Sequence, residues 1–194
     1  MARPREFDRP GALRQAMEAF WELGYEGTST AILLERLGIG RSSFYAAFGS
    51  KDELYTEAMD SYVRYLRVRV IDKLRAEGPA MDVLEDFFLG VAERGAPSGE
   101  PLRCCMVVRA CLSGTEQPPE ITARIHEAIA EQDDAFHHLL KRARAEGTLG
   151  NAGNLRASAR FLTTTFQALN VAALAGRDRR ELRQIIRKAL TTLE

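Results

Sequence analysis

The sequence predicts an all-α protein, and three observations carry that expectation. Apolar residues recur at three- and four-residue steps along nearly the whole chain, strand-like alternation is scarce, and Gly, Pro and hydroxyl residues punctuate the ends of the periodic segments. Asp8 is placed to cap a first helix whose Leu13, Ala16, Met17 and Phe20 form one stripe, with Gly24 as its stop. Thr28, Ser29 and Thr30 offer hydroxyl caps for a second helix carrying Ile32, Leu33 and Leu37. Only Gly38-Ile39-Gly40 separates it from a third, Arg41 to Phe48. Gly49 and Ser50 then lead into a long fourth helix reaching about Arg75, and its opening Asp52 and Glu53 suit a helix N-terminus.

Gly78 and Pro79 mark the next break, after which Met81, Leu84, Phe88 and Val91 stripe a fifth helix closed by the loop Gly95 to Pro101. A sixth helix holds Cys104, Cys105 and Cys111. Pro118-Pro119 precede a seventh with Ile121, Ile125, Ile129, Phe136 and Leu139, ending near Glu146. The last two, about nine in all, are the most regular. Leu155, Ala159, Leu162, Phe166, Leu169 and Ala173 alternate steps of four and three, as do Leu182, Ile186, Ala189 and Leu193. Such steps predict a seam between two copies of the chain, with Leu155, Leu162, Phe166, Leu169, Leu182, Ile186 and Leu193 at a homodimer interface.

Composition narrows the function classes. The 194 residues, 45% hydrophobic and 28% charged, suit one or two compact domains and exclude disordered or fibrous chains. The longest uncharged run, Phe161 to Gly176, falls short of a bilayer, and the mixed-charge start from Met1 to Pro10 does not read as a leader, so no membrane partner and a cytoplasmic location are expected. Three cysteines without a CxxC pair argue against a disulfide framework or a zinc site, and no cofactor is indicated. No Ser-His-Asp order, P-loop or GxGxxG pattern supplies enzymatic chemistry. His126, His137 and His138 share the seventh helix with Asp133 and Asp134, a spacing best read as solvated Asp-His pairs rather than metal ligands.

The 27 basic and 27 acidic residues cancel, so any nucleic-acid surface must be local. Two short helices joined by a three-residue glycine turn form such a place, because a helix-turn-helix presents its second helix to a DNA major groove. From Thr28 to Lys51 three basic residues (Arg36, Arg41, Lys51) stand against one acidic (Glu35), a surplus of two. Thr28, Ser29, Thr30, Ser42, Ser43 and Tyr45 add hydroxyls for phosphates. Pattern alone equally allows a helical ligand-binding or scaffolding module without DNA binding.

The stretch from Phe7 to Tyr65, read through Phe20, Gly24, Tyr25, Thr28, Ser29, Gly38, Ile39, Ser43, Tyr45, Phe48, Ser50, Lys51 and Leu54, resembles the N-terminal domain of the TetR/AcrR family of transcriptional repressors. The resemblance implies a DNA-binding domain over residues 1–50 and an effector-binding and dimerisation domain over 51–194. The expected partners are a pseudo-palindromic double-stranded operator, a second copy of the chain and a small-molecule effector. Tyr45 and Lys51 are expected on phosphates, and Arg41, Ser42, Ser43 and Ala46 at base edges. Gly40 departs from the hydroxyl cap common in the family, and Ala46 and Ala47 leave only methyl contacts where a polar residue is usual. Leu102 to Arg109 looks like a stretch reading Gly-Cys-Leu-Leu-Val-Asn in one branch, with Cys105 in the cysteine's place and Arg109 in that of Asn. Phe88, Cys105, Met106, Arg109, Gln132 and Phe166 are therefore expected around an effector pocket or redox site. Arg103 and Arg109 flank the cysteines and would favour a reactive thiolate; the alternative is that the cysteines are small buried hydrophobes.

Overall fold

The computed structural model describes residues 8–94, 105–113, 117–150 and 153–193, and every regular element among them is helical. In chain order they are α1 (Arg9–Gly27), α2 (Thr30–Leu37), α3 (Arg41–Phe48) and α4 (Lys51–Leu66). The last runs on through a π-helical segment, Arg67–Ile71, and a final turn, Asp72–Leu74. Then follow α5 (Ala80–Arg94), α6 (Met106–Leu112), α7 (Pro119–Ala145), α8 (Leu155–Leu174) and α9 (Arg179–Leu190), which closes in a 3-10 turn at Thr191–Leu193.

The predicted caps act as expected. Asp8 accepts from the Gly11 N–H, Ser29 from Ile32 and Ser50 from Glu53 at 3.0, 3.2 and 3.1 Å. Gly24 breaks the first helix with φ 78° and ψ 175°, a conformation that favours glycine, and one more helical turn follows it to Gly27. Gly38 takes the left-handed conformation, φ 63°, so that its N–H and that of Ile39 return to the carbonyls at the end of α2.

Two layers of packing result. In the N-terminal layer α1 lies along α4, with Phe20 and Tyr55 edge to face at 4.8 Å and Trp21 against Tyr62 at 5.0 Å. Leu33, Phe44, Phe48 and Leu54 fill the space beneath, each such side chain contributing about 1.5–3 kcal/mol of burial free energy. Arg9 pins the corner: its Nε donates to the Ala47 carbonyl at 3.1 Å, its guanidinium lies 5.0 Å over the Phe48 ring, and it pairs with Glu57 at 2.6 Å. In the C-terminal layer Phe87, Phe88, Phe136 and Phe166 form one ring cluster, with α7 and α8 antiparallel beside it. The short α6 contacts α1, α4 and α7, joining the two layers.

The residues expected at a seam of the last two helices are buried within a single copy. Leu155, Leu162, Phe166, Leu169, Leu182, Ile186 and Leu193 are each 8% exposed or less within a single copy, so they are core residues of one chain and present little surface to a second copy. Their periodicity marks a buried face, and the partner that buries it is α5, α7 and the neighbouring helix of the same subunit.

Candidate nucleic-acid interface and effector region

Helix α3 is held by two aromatic anchors. Phe44 and Phe48 point into the core with ring centroids 5.9 Å apart, which leaves Arg41, Ser42, Ser43, Tyr45 and Ala46 exposed. Tyr45 stands edge-on to Phe44 at 5.3 Å, so its hydroxyl projects from a braced ring. Gly40 caps α3 without a side-chain hydrogen bond, in keeping with the expected loss of that contact.

Lys51 occupies the first turn of α4, where a cation is disfavoured by the helix dipole. Its ammonium is instead held 3.9 Å from the centre of the Tyr25 ring, and the Tyr25 hydroxyl donates to the Asp52 carboxylate. Tyr25 in turn packs on Tyr55 at 4.9 Å. A cation steadied from behind by an aromatic ring can face a phosphate with little loss of rotamer freedom. Arg36 pairs with Glu22 at 2.7 Å, so the local cationic surplus is carried by Arg41 and Lys51. Tyr25 and Arg9 are site-building residues that sequence reasoning did not place at the site, because their partners Lys51, Asp52 and Ala47 lie far from them along the chain.

Two of the three hydroxyls ahead of α2 serve the protein itself. Thr28 is fully buried, its Oγ1 donating to the Gly24 carbonyl at 2.6 Å with the Ala19 carbonyl 3.4 Å away. It therefore closes the Gly24 kink and is not a phosphate ligand. Ser29 is exposed but its oxygen caps α2, and Thr30 is half-buried.

The effector-region residues divide differently from expectation. Phe88 and Phe166 are buried in the ring cluster, Phe88 stacking on Phe136 at 5.8 Å, and Met106 is buried as well. Arg109 faces away from that cluster, 3.6 Å from where a Cβ on Gly24 would sit, with its Nε buried and without a partner. Cys105 is the residue preceding α6 and is buried, with the Tyr62 hydroxyl of α4 as hydrogen-bond partner. Burial pushes its thiol pKa up despite that bond, and among the described residues no arginine is one of the groups that shift it, which favours the buried-hydrophobe alternative for this cysteine over an activated thiolate. Cys111 is exposed and its thiol is also raised by burial. Cys104 and Arg103 lie outside the described residues.

Three buried polar atoms on α7 and α8 have no hydrogen-bond partner: Gln132 Oε1, Thr163 Oγ1 and Gln167 Nε2. Asp134 and Asp133 pair with Arg156 and Arg160, so the Asp-His pairs expected on the seventh helix are replaced by Asp-Arg pairs. His137 is half-buried and its pKa is lowered, first by burial and then by Arg156.

The N-terminal geometry is that of a helix-turn-helix transcriptional regulator. Residues 12–58 match the bacterial regulatory proteins of the tetR family. Along its whole length the chain is 32% identical to the uncharacterized HTH-type transcriptional regulator YezE of Bacillus subtilis (strain 168), covering all of both. It is 28% identical to the HTH-type transcriptional repressor ComR of Escherichia coli (strain K12) over 94% of this chain and 87% of that one. Among solved structures it is similar to a cysteine mutant of the TetR family transcriptional regulator CifR complexed with 26-bp double-strand operator DNA, with 32% identity, full coverage of both chains and a TM-score of 0.85. The chain belongs to the TetR family of bacterial transcriptional regulators.

Proposed function

We propose that this protein is a cytoplasmic homodimeric repressor that binds a pseudo-palindromic operator and is released from it by a small-molecule effector. The observation that carries the reading is α3: anchored inward by Phe44 and Phe48, it presents Arg41, Ser42, Ser43, Tyr45 and Ala46 outward beside the braced Lys51. Arg41, Ser42, Ser43 and Ala46 read base edges, Tyr45 and Lys51 position the backbone, and Ser29 and Thr30 lie at the phosphate flank. The operator complex of CifR and the repressor name of ComR support this assignment. Residues 1–50 form the DNA-binding part and residues 51–194 the effector and dimerisation part, with the first turns of α4 packed into the former.

The second copy docks on the outward faces of α8 and α9. Phe161, Val171 and Leu174 on α8 and Ile185 on α9 are 44, 43, 47 and 38% exposed, and with Thr164 and Ala168 they make a second stripe opposite the buried one. Two copies joined there place two α3 helices for half-sites about 34–36 Å apart. Effector binding shifts the population toward a spacing that does not fit successive grooves, so operator affinity falls by the differential binding energy.

The test is anisotropy of the labelled DNA segment flanking the protein's own gene, titrated at several salt concentrations. Lys51→Ala is expected to weaken binding to all sequences and to reduce the salt slope by about 0.9, whereas Arg41→Ala relaxes preference at particular base pairs. Equal affinity for this segment and for unrelated DNA of the same length would overturn the reading.

A further inference from the structure

The C-terminal end of α7 is basic and stands apart from the DNA-binding face. Together with the start of α8 it encloses a groove of about 520 Å³, lined by His137, Lys141 and Arg144 on one side and by Asn154 and Arg156 on the other. That is room for a small metabolite, well beyond a water molecule or a single ion. No lining residue is acidic. Of the three cations only Arg156 has a carboxylate partner among the described residues, Asp134, while Arg144 donates to the Gly153 carbonyl at 2.9 Å. Three positive charges against that one carboxylate leave the groove a surplus of two.

Helix-end chemistry does not account for the arrangement. Cations favour the last turn of a helix because they meet its free carbonyls. Here the carbonyls of Arg142, Ala143 and Arg144 already accept from the N–H groups of Glu146, Thr148 and Gly147, and Arg144 reaches across to Gly153 instead. The first turn of α8 is likewise occupied, since Asn154 Oδ1 accepts from the N–H groups of Arg156 and Ala157. What faces the groove is side-chain charge, and His137 registers it: burial first, then Arg156, Lys141 and His138, lower its pKa against Asp134 alone. The groove is also remote from α3. Arg142 donates to the carbonyls of Ala76 and Gly78, past the end of the α4 run, whereas α3 joins the start of that run, and Lys51–Leu74 spans about 35 Å at roughly 1.5 Å per residue. Arg156 faces α7 through Asp134 and stands about 140° around α8 from Phe161, so a second copy on the stripe proposed above leaves the groove open.

We propose that this groove binds a small phosphate monoester, its phosphate held by Lys141, Arg144 and Arg156 and its body lying against Ala145 and Leu155. A monoester phosphate carries about −1.5 to −2 charge at neutral pH, which matches the surplus of two. The guanidinium groups offer paired N–H donors to its oxygens, and the Lys141 ammonium adds a point charge. His137 and the Asn154 Nδ2 amide remain for the hydroxyls of the body. A neutral molecule would leave the cations unanswered, and DNA seated on α3 does not reach them. The site is separate from the core of the effector part, so it stands or falls independently of operator release.

Ribose 5-phosphate, ribose and inorganic phosphate test the proposal on the full chain at constant ionic strength, with backbone amides and the His137 ring followed by NMR. Ribose 5-phosphate is expected to shift the signals of residues 137–145 and 154–156 to saturation, ribose to shift none of them, and inorganic phosphate to bind at least about threefold more weakly than the ester. Lys141→Gln and Arg144→Gln should each weaken binding of the ester about two- to fivefold, the loss of one solvent-exposed ion pair. Lys141 is exposed, so weakening in Lys141→Gln at an unchanged melting temperature is not a loss of fold. Arg180→Gln, which removes an exposed cation of α9, should leave the affinity as it was. Ribose binding as well as its phosphate, full affinity in both Lys141→Gln and Arg144→Gln, or equal weakening in Arg180→Gln would each overturn the site, the last by assigning binding to net charge. Inorganic phosphate binding as tightly as the ester would make the groove an adventitious anion contact and overturn the ligand class. Double-stranded DNA lacking the operator that shifts the same signals in place of the ester would make it a polyanion surface and overturn the proposal as well.

Discussion

Thr28→Val separates the two roles open to the hydroxyl ahead of α2. Valine keeps the β-branched shape in a position with no exposed surface, so packing is preserved and the Oγ1 donor alone is removed. The Gly24 carbonyl, 2.6 Å from that donor and part of a buried residue, then loses its partner. Leaving a buried acceptor unsatisfied costs about 1–3 kcal/mol, and at about 2–4 °C per kcal/mol for a chain of this size the melting temperature should fall by roughly 2–12 °C. A hydroxyl that merely touched a phosphate would change stability by no more than about 0.5 kcal/mol but would lower the salt slope of DNA binding by up to about 0.9. Urea titration at fixed protein concentration reads the first quantity, and operator anisotropy against salt at a temperature where both proteins are folded reads the second. Unchanged stability together with a reduced salt slope would refute the structural role of Thr28.

Further outcomes follow from the same structure. Leu174→Glu, on the exposed stripe of α8, should give a monomer in light scattering at micromolar concentration and weaken operator binding at least tenfold. Leu162→Ala, on the buried stripe, should cost about 2–5 kcal/mol of stability and leave the folded fraction dimeric; the reverse pattern would restore the buried residues to the interface. In a Cys104→Ser background, iodoacetamide at pH 8 should label Cys111 well before Cys105, because the Cys105 thiol is buried and its pKa raised. A raised pKa means the folded state holds that proton more tightly than the unfolded chain. Its contribution is therefore complete below the ordinary thiol value of about 8.5 and is lost as pH rises beyond it, a decline that Cys105→Ala should flatten.

The DNA-binding half was legible in the sequence because its information is local. Ser29, Gly38 and Ser50 each act within three or four residues of their own position, so cap chemistry alone places α2, α3 and the start of α4. The outward residues of α3 were expected from the family resemblance, and the structure supplies the reason, since Phe44 and Phe48 point inward. Reading Thr28, Ser29 and Thr30 as one cluster failed for a local reason as well: the kink at Gly24 turns its carbonyl toward Thr28, and a backbone acceptor outcompetes a distant phosphate for that hydroxyl. Tyr25 beneath Lys51 and Arg9 beside Ala47 depend on chain segments brought together only by the packing of α1 on α4, which no spacing rule reports.

The C-terminal part was legible in its helices and not in its faces, and α8 shows why. Periodicity tells that Leu155, Leu162, Phe166 and Leu169 share one side of a helix; it carries no label for whether that side meets its own chain or another copy. The stronger stripe is claimed first by the subunit's own core, since α5, α7 and α9 are tethered neighbours at far higher effective concentration than a second molecule. The face proposed above for a second copy is the weaker stripe, Phe161, Thr164, Ala168, Val171 and Leu174, whose threonine and alanine dilute its apolar signal. A surface that must stay dispersed until it meets its copy cannot be as apolar as a core, because an exposed patch of that quality would aggregate. The more regular of two stripes on an amphipathic helix is thus the poorer candidate for a dimer contact, and the interrupted one is where such a contact should be sought.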